Sequence, residues 1–189
     1  MADVVLFHHA QGLTDGCLTF AGELRAAGHL VHTPDLYEGR TFAELADGMA
    51  YAEEAGFDAI VERGREAVGR VGPDVFYVGF SLGALPAQML AQTRPGARGL
   101  VLLHAAIPPS ELGGTWPAGV PLQIHVMERD ELGDVVVARM LADTIDDAEL
   151  FLYPGDRHLF TDSSLPAYDA EATALVLERV RAFLAVSAD

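Results

Sequence analysis

The chain has no lysine, no asparagine and only one cysteine, and each scarcity closes off a class of function. Without lysine there is no Schiff-base amine, no anchor for pyridoxal phosphate and no Walker A phosphate ligand. All 12 basic residues are arginine. Without asparagine no N-glycan acceptor exists, and Cys17 alone forms neither an intrachain disulfide nor a multi-cysteine metal site. Positive charge is scarce as well. The formal net charge of −16 sets the surface against nucleic acid and anionic membranes and favours solubility. No apolar run reaches the roughly 18 residues of a membrane span. Met1-Ala2-Asp3 carries an acid where a secretory leader carries basic residues. These absences together favour the cytoplasm and disfavour nucleic acid or a membrane as partner. A monomer is expected over an oligomer, because no long exposed apolar face is apparent.

What is present suits one domain over residues 1–189, since half of the residues are hydrophobic and can build a substantial core. Short β-rich runs alternate with helical stretches, the pattern of a doubly wound, mostly parallel sheet of about six strands with helices on both faces. Predicted strands are Val4–His8, His29–Thr33, Val75–Val78, Leu100–His104, Leu122–Val126 and Glu149–Tyr153. Predicted helices follow Thr14 up to Gly28, run from Phe42 to about Val71 with a break near Gly56, and span Leu82–Thr93, Asp134–Asp143 and Pro166–Val186. Ligands of such sheets bind beyond the strand carboxyl ends. There the sequence places His8-His9, Asp35, Ser81, His104, Asp130 and His158.

Gly79-Phe80-Ser81-Leu82-Gly83 lies between a predicted strand and a predicted helix, the context that makes Gly-x-Ser-x-Gly a nucleophile elbow. Such a turn needs small residues two places either side of the serine, and the helix behind it directs its positive end at a developing oxyanion. A serine needs a base oriented by an acid, in the chain order Ser, acid, His. His125 sits within a strand and His104 has no suitable acid before it, whereas His158 follows the last strand. Glu128, Asp130, Glu131 and Asp134 occupy the acid loop. Asp130, a few residues past the strand end, is the choice, with Asp134 its main rival. Leu82 supplies one oxyanion N–H, and the loop His8-His9-Ala10-Gln11-Gly12 supplies the other. Paired His8 and His9 hint at a metal but lack further ligands. Cys17 reads as a buried thiol. Tyr37, Trp116 and Phe160 fall in loops at the strand carboxyl ends, as pocket walls or as packing.

These residues resemble the dienelactone hydrolase family. His8-His9-Ala10-Gln11-Gly12-Leu13 is similar to that family's His-Glu-x-x-Gly-Leu, Pro34-Asp35-Leu36-Tyr37 to its Pro-Asp-Leu-Tyr, and His158-x-Phe160 to its His-x-Phe. The resemblance covers about Val4 to Leu184 and implies a cofactor-free α/β-hydrolase with Ser81, Asp130 and His158 as triad and Ala10 and Leu82 as oxyanion donors. It departs at three places: Ser81 stands for the family's cysteine, His9 for its first-loop glutamate, and Asp162 for an arginine that binds the substrate carboxylate. Asp162 is therefore expected to repel an anionic lactone, leaving Arg40 as a lone anion contact and His9 as a residue of the substrate pocket. The expected activity is cleavage of a small ester, thioester or lactone through an acyl-enzyme. A catalytically silent binding module, an acyltransferase and a cofactor-free haloperoxidase are the alternatives on the same scaffold.

Overall fold

The apolar runs become six strands in a computed structural model that describes residues 1–186. They are β1 (Asp3–Phe7), β2 (Leu30–His32), β3 (Val75–Phe80), β4 (Ala97–Leu103), β5 (Leu122–Met127) and β6 (Ala148–Tyr153). All pair in parallel, in the order β2-β1-β3-β4-β5-β6. Six α-helices connect or follow them: α1 (Asp15–Ala26), α2 (Leu45–Ala55), α3 (Phe57–Ala67), α4 (Ala84–Thr93), α5 (Val135–Thr144) and α6 (Ala170–Val186).

Local chemistry sets the helix limits. The Thr14 hydroxyl caps α1 by accepting the Cys17 N–H. Gly56, at φ +87°, separates α2 from α3, a conformation that glycine adopts without a Cβ penalty. α6 starts at Ala170 and not at Pro166, because the Asp169 carboxylate accepts the Ala172 N–H at 3.0 Å and serves as its N-cap.

Strand alternation divides the core in two. Val4, Leu6, Phe76, Val78 and Phe80 face α1 and α6, whereas Val5, Phe7, Val75 and Tyr77 face the side covered by α2, α3, α4 and α5. The connection after β1 therefore leaves to one face and that after β3 to the other. Their divergence opens a crevice at the carboxyl ends of these neighbouring strands. No helix among the described residues is long and apolar enough to cross a membrane.

Candidate active site

Ser81 occupies that crevice, in a short 3₁₀ turn between β3 and α4. Its φ is +48°, a left-handed conformation costing a β-carbon residue about 1–3 kcal/mol. The flanking glycines make the turn possible. A Cβ on Gly83 would stand 2.3 Å from the Phe7 carbonyl oxygen, and one on Gly79 2.7 Å from the Gly83 oxygen. Leu82 lies in the first turn after the serine, where N–H groups have no carbonyl in their own helix to bond.

Ser81 Oγ–H donates to His158 Nε2 at 2.8 Å, and His158 Nδ1–H donates to Asp130 Oδ2 at 2.8 Å. The histidine is nearly enclosed, with 11% of its side chain exposed, against 1% for Asp130. The other carboxylate oxygen of Asp130 accepts the Leu132 N–H at 3.0 Å. Gly133 permits this loop to fold back, since a Cβ there would meet Val126 at 2.4 Å and Asp130 Oδ2 at 2.8 Å. Asp134, the rival acid, is exposed and opens α5 at φ +51° without a capping bond from its side chain. It lines the cleft but takes no part in the hydrogen bonds to His158.

His104, set aside as a base, stands behind His158. It is fully buried at φ +65°, its ring edge-on to Phe160 at 4.7 Å and to His158 at 5.8 Å. Burial, with His158, His9 and His125 nearby, holds its pKa well below the ordinary value, so it is a neutral wall. His125 is likewise neutral within β5, bonded to Tyr153 and Gln123.

The loop after β1 is held from three directions. His8 Nδ1–H donates to the His9 carbonyl at 2.8 Å, while its Nε2 accepts the Leu36 N–H at 2.9 Å. The Gln11 side-chain amide donates to the carbonyls of Phe42 and Ala43. His9 Nε2–H donates to Asp162 Oδ2 at 2.7 Å, both residues being fully buried. Thr14 and Ser164 hydroxyls and the Ser164 N–H complete the Asp162 carboxylate. Burial lowers the His9 pKa, but the bonds to Asp162 and Cys17 outweigh it and raise it to about 9. The Gln11 N–H, aimed at Nδ1 from 3.2 Å, opposes a second ring proton. The Nε2–H bond to Asp162 exists in either protonation state, so the tie itself does not depend on that balance.

His9, Cys17 and Asp162 are the one described group whose atoms could gather round a metal, all within 4.8 Å of one another. Ligands on a tetrahedral zinc stand roughly 3.3 Å apart at bond lengths of about 2.0 Å, whereas the His9–Asp162 separation of 2.7 Å is that of a hydrogen bond.

The cleft above Ser81 has a volume of about 290 Å³ and is lined by Leu45, Met49, Phe57, Leu82, Leu85, Ala105, Ile107 and Leu132, with Ser81, His158 and Asp134. None of the five residues expected in a substrate pocket lines it. Tyr37 is buried, its hydroxyl donating to the Gly48 carbonyl. Phe160 is core packing against His104. Trp116 turns toward the amino end of β5, donating to the Val120 carbonyl. Arg40 lies 5.1 Å over the Tyr51 ring, and His9 points at Asp162. Asp162 is itself withdrawn from the cleft, so the expected direct repulsion of an anionic lactone by this residue does not hold. Sequence reasoning also missed the apolar wall from α2 and α3 (Leu45, Met49 and Phe57). Its signal is the spacing of Leu45 and Met49 on one helix face.

A six-stranded parallel sheet with a serine elbow at the carboxyl end of a central strand defines an α/β-hydrolase fold. The sequence profile of the Dienelactone hydrolase family matches residues 1–187, and the chain belongs to that family. Among solved structures it is similar to a dienelactone hydrolase-like promiscuous phosphotriesterase from metagenomic libraries (21% identity, 98% of this chain and 86% of that one, TM-score 0.74). It is also similar to dienelactone hydrolase from Anabaena variabilis (17%, 98% and 86%, TM-score 0.70) and to a metagenome-derived lipolytic enzyme (18%, 98% and 94%, TM-score 0.67). At these identities the structural likeness speaks for the fold. No curated protein matches. Family and fold together support a hydrolase.

Proposed function

We propose that the chain is a one-domain serine hydrolase that cleaves a small ester, thioester or lactone through an acyl-enzyme. The observation that carries this reading is the relay from Ser81 through His158 to Asp130, with both hydrogen bonds at 2.8 Å. Ser81 Oγ attacks the acyl carbon as its proton passes to His158 Nε2. Asp130 keeps the other ring proton on Nδ1 and stabilises the imidazolium. The N–H groups of Leu82 and Ala10 hold the oxyanion. Collapse expels the alcohol or thiol, which takes the proton from Nε2. Water, deprotonated by the same nitrogen, then releases the acid and restores Ser81.

Replacing Ser81 by alanine should lower kcat on an aryl butyrate by at least about 10⁴-fold, as loss of a triad nucleophile does elsewhere. A fluorophosphonate should label the wild type at Ser81 and leave Ser81→Ala unlabelled. Full activity in that variant would exclude the mechanism.

A further inference from the structure

Apart from the backbone, the cleft offers a substrate three polar side chains, and two of them, Ser81 and His158, are engaged with each other. The third is Asp134, which lies exposed at the mouth. A non-glycine residue at φ +51° is uncommon. Here it opens a helix whose N-terminus the side chain does not cap, so capping does not account for the carboxylate. The wall is aliphatic and aromatic, with Phe57 and Leu132 left 40% and 57% exposed at its rim. No arginine lines it. Of the nearby arginines, Arg40 is turned to the Tyr51 ring, Arg63 of α3 to the Leu36 carbonyl and Arg157 to the Tyr168 carbonyl, while Arg129 lines a separate depression with Asp130, Glu131, Leu132 and Asp156.

A carboxylate entering this space would shed water without gaining a cation and would meet Asp134, in the field of a chain carrying −16. An apolar group would gain by the same desolvation. The cleft of about 290 Å³ admits on the order of ten water-sized groups at about 30 Å³ each. We propose that the site takes uncharged esters bearing a medium-length apolar group and rejects carboxylate-bearing ones, with Asp134 as the specificity-determining residue. This inference rests on the hydrolase reading above.

The test compares kcat/KM for neutral aryl esters from acetate through hexanoate to palmitate with aryl hemisuccinate and hemiglutarate, which end in a carboxylate. The expected results are a maximum near hexanoate and a preference of about 100-fold or more for neutral over anionic esters of equal length. That preference should shrink several-fold when ionic strength rises from about 0.01 to 1 M, as surface charges become screened. Asp134→Asn, whose side chain tolerates the same backbone conformation, should narrow it about tenfold, and Asp134→Arg further. Comparable rates for both ester types, or a ratio indifferent to Asp134 and to salt, would overturn the specificity while leaving Ser81 as nucleophile. Inactivity on every ester, with no fluorophosphonate labelling, would instead overturn the hydrolase reading and this inference with it.

Discussion

Asp162 shows how much hangs on the direction of one side chain. From its place four residues after His158 it reads as a pocket residue, yet a Cβ on Gly16 would fall 1.6 Å from its Oδ1, so closely does α1 pack on it. Burial raises its pKa, but bonds from His9, Ser164 and Thr14 outweigh that and hold it down to about 2. Because the folded value lies below the ordinary 3.8, this residue's contribution to stability is present above pH 3.8 and is lost as the pH falls toward 2. Asp162→Ala should destabilise the protein by about 3–5 kcal/mol in urea unfolding, the usual cost of stranding one partner of a buried pair. The double replacement of His9 by methionine and Asp162 by leucine should cost less than either single change. A double-variant cost equal to the sum of the two single costs would mean that the pair is not coupled. That Ser81, His158 and Asp130 come together was legible from motif and chain order. The burial of His9, Tyr37, Phe160 and Asp162 was not, because loop residues can turn inward or outward without changing the pattern.

Among the elements, strands and helices were legible because hydrophobic runs and glycine breaks mark them. What lay outside the pattern is how α2 meets the loop after β1. Gly48, within that helix, presents its bare backbone to the Ala10 carbonyl, and a Cβ would stand 2.0 Å from that oxygen. In the sequence this glycine looks like an ordinary helix weakness; in the fold it sets the distance between helix and loop. Gly48→Ala should cost about 1–3 kcal/mol through overpacking. It should also lower kcat more than it changes KM, because the residue whose carbonyl is displaced, Ala10, carries the proposed oxyanion donor on its own N–H. Thermal melts paired with steady-state kinetics separate the two effects. The Ile107–Gly119 loop was equally unreadable. Gln88 and Gln92 pin its start to α4 by donating to the Ile107 and Pro109 carbonyls, which turns Ile107 into the cleft and leaves Trp116 far along the loop.

At the scale of the whole molecule, His8, His104 and His125 are buried and held neutral, His8 despite Asp35 at 3.6 Å. Burial lowers the pKa of His8 to about 4 and of His125 to about 3, and depresses that of His104 as well. Since their folded values lie below the ordinary 6.5, each stabilises the fold above pH 6.5 and loses that contribution as the pH falls. For His8 and His125 the scale is roughly 3–5 kcal/mol once the shift is fully developed. Stability to urea should therefore decline between pH 7 and pH 5, before most carboxylates titrate. A flat profile across that range would show that these rings can accept protons where they lie.

The hydrogen bond from His9 to Asp162 joins residues 153 apart, and that from Ser81 to His158 spans 77. A chain emerging from the ribosome thus presents Ser81 and Asp130 before His158. The first loop waits for its clamp until the last strand of the sheet has been synthesised. Hydrolysis by the nascent chain is consequently withheld until the edge strand β6 and the segment beyond it have docked. Recovered activity after denaturation thereby reports closure of the whole chain, not the formation of any local part.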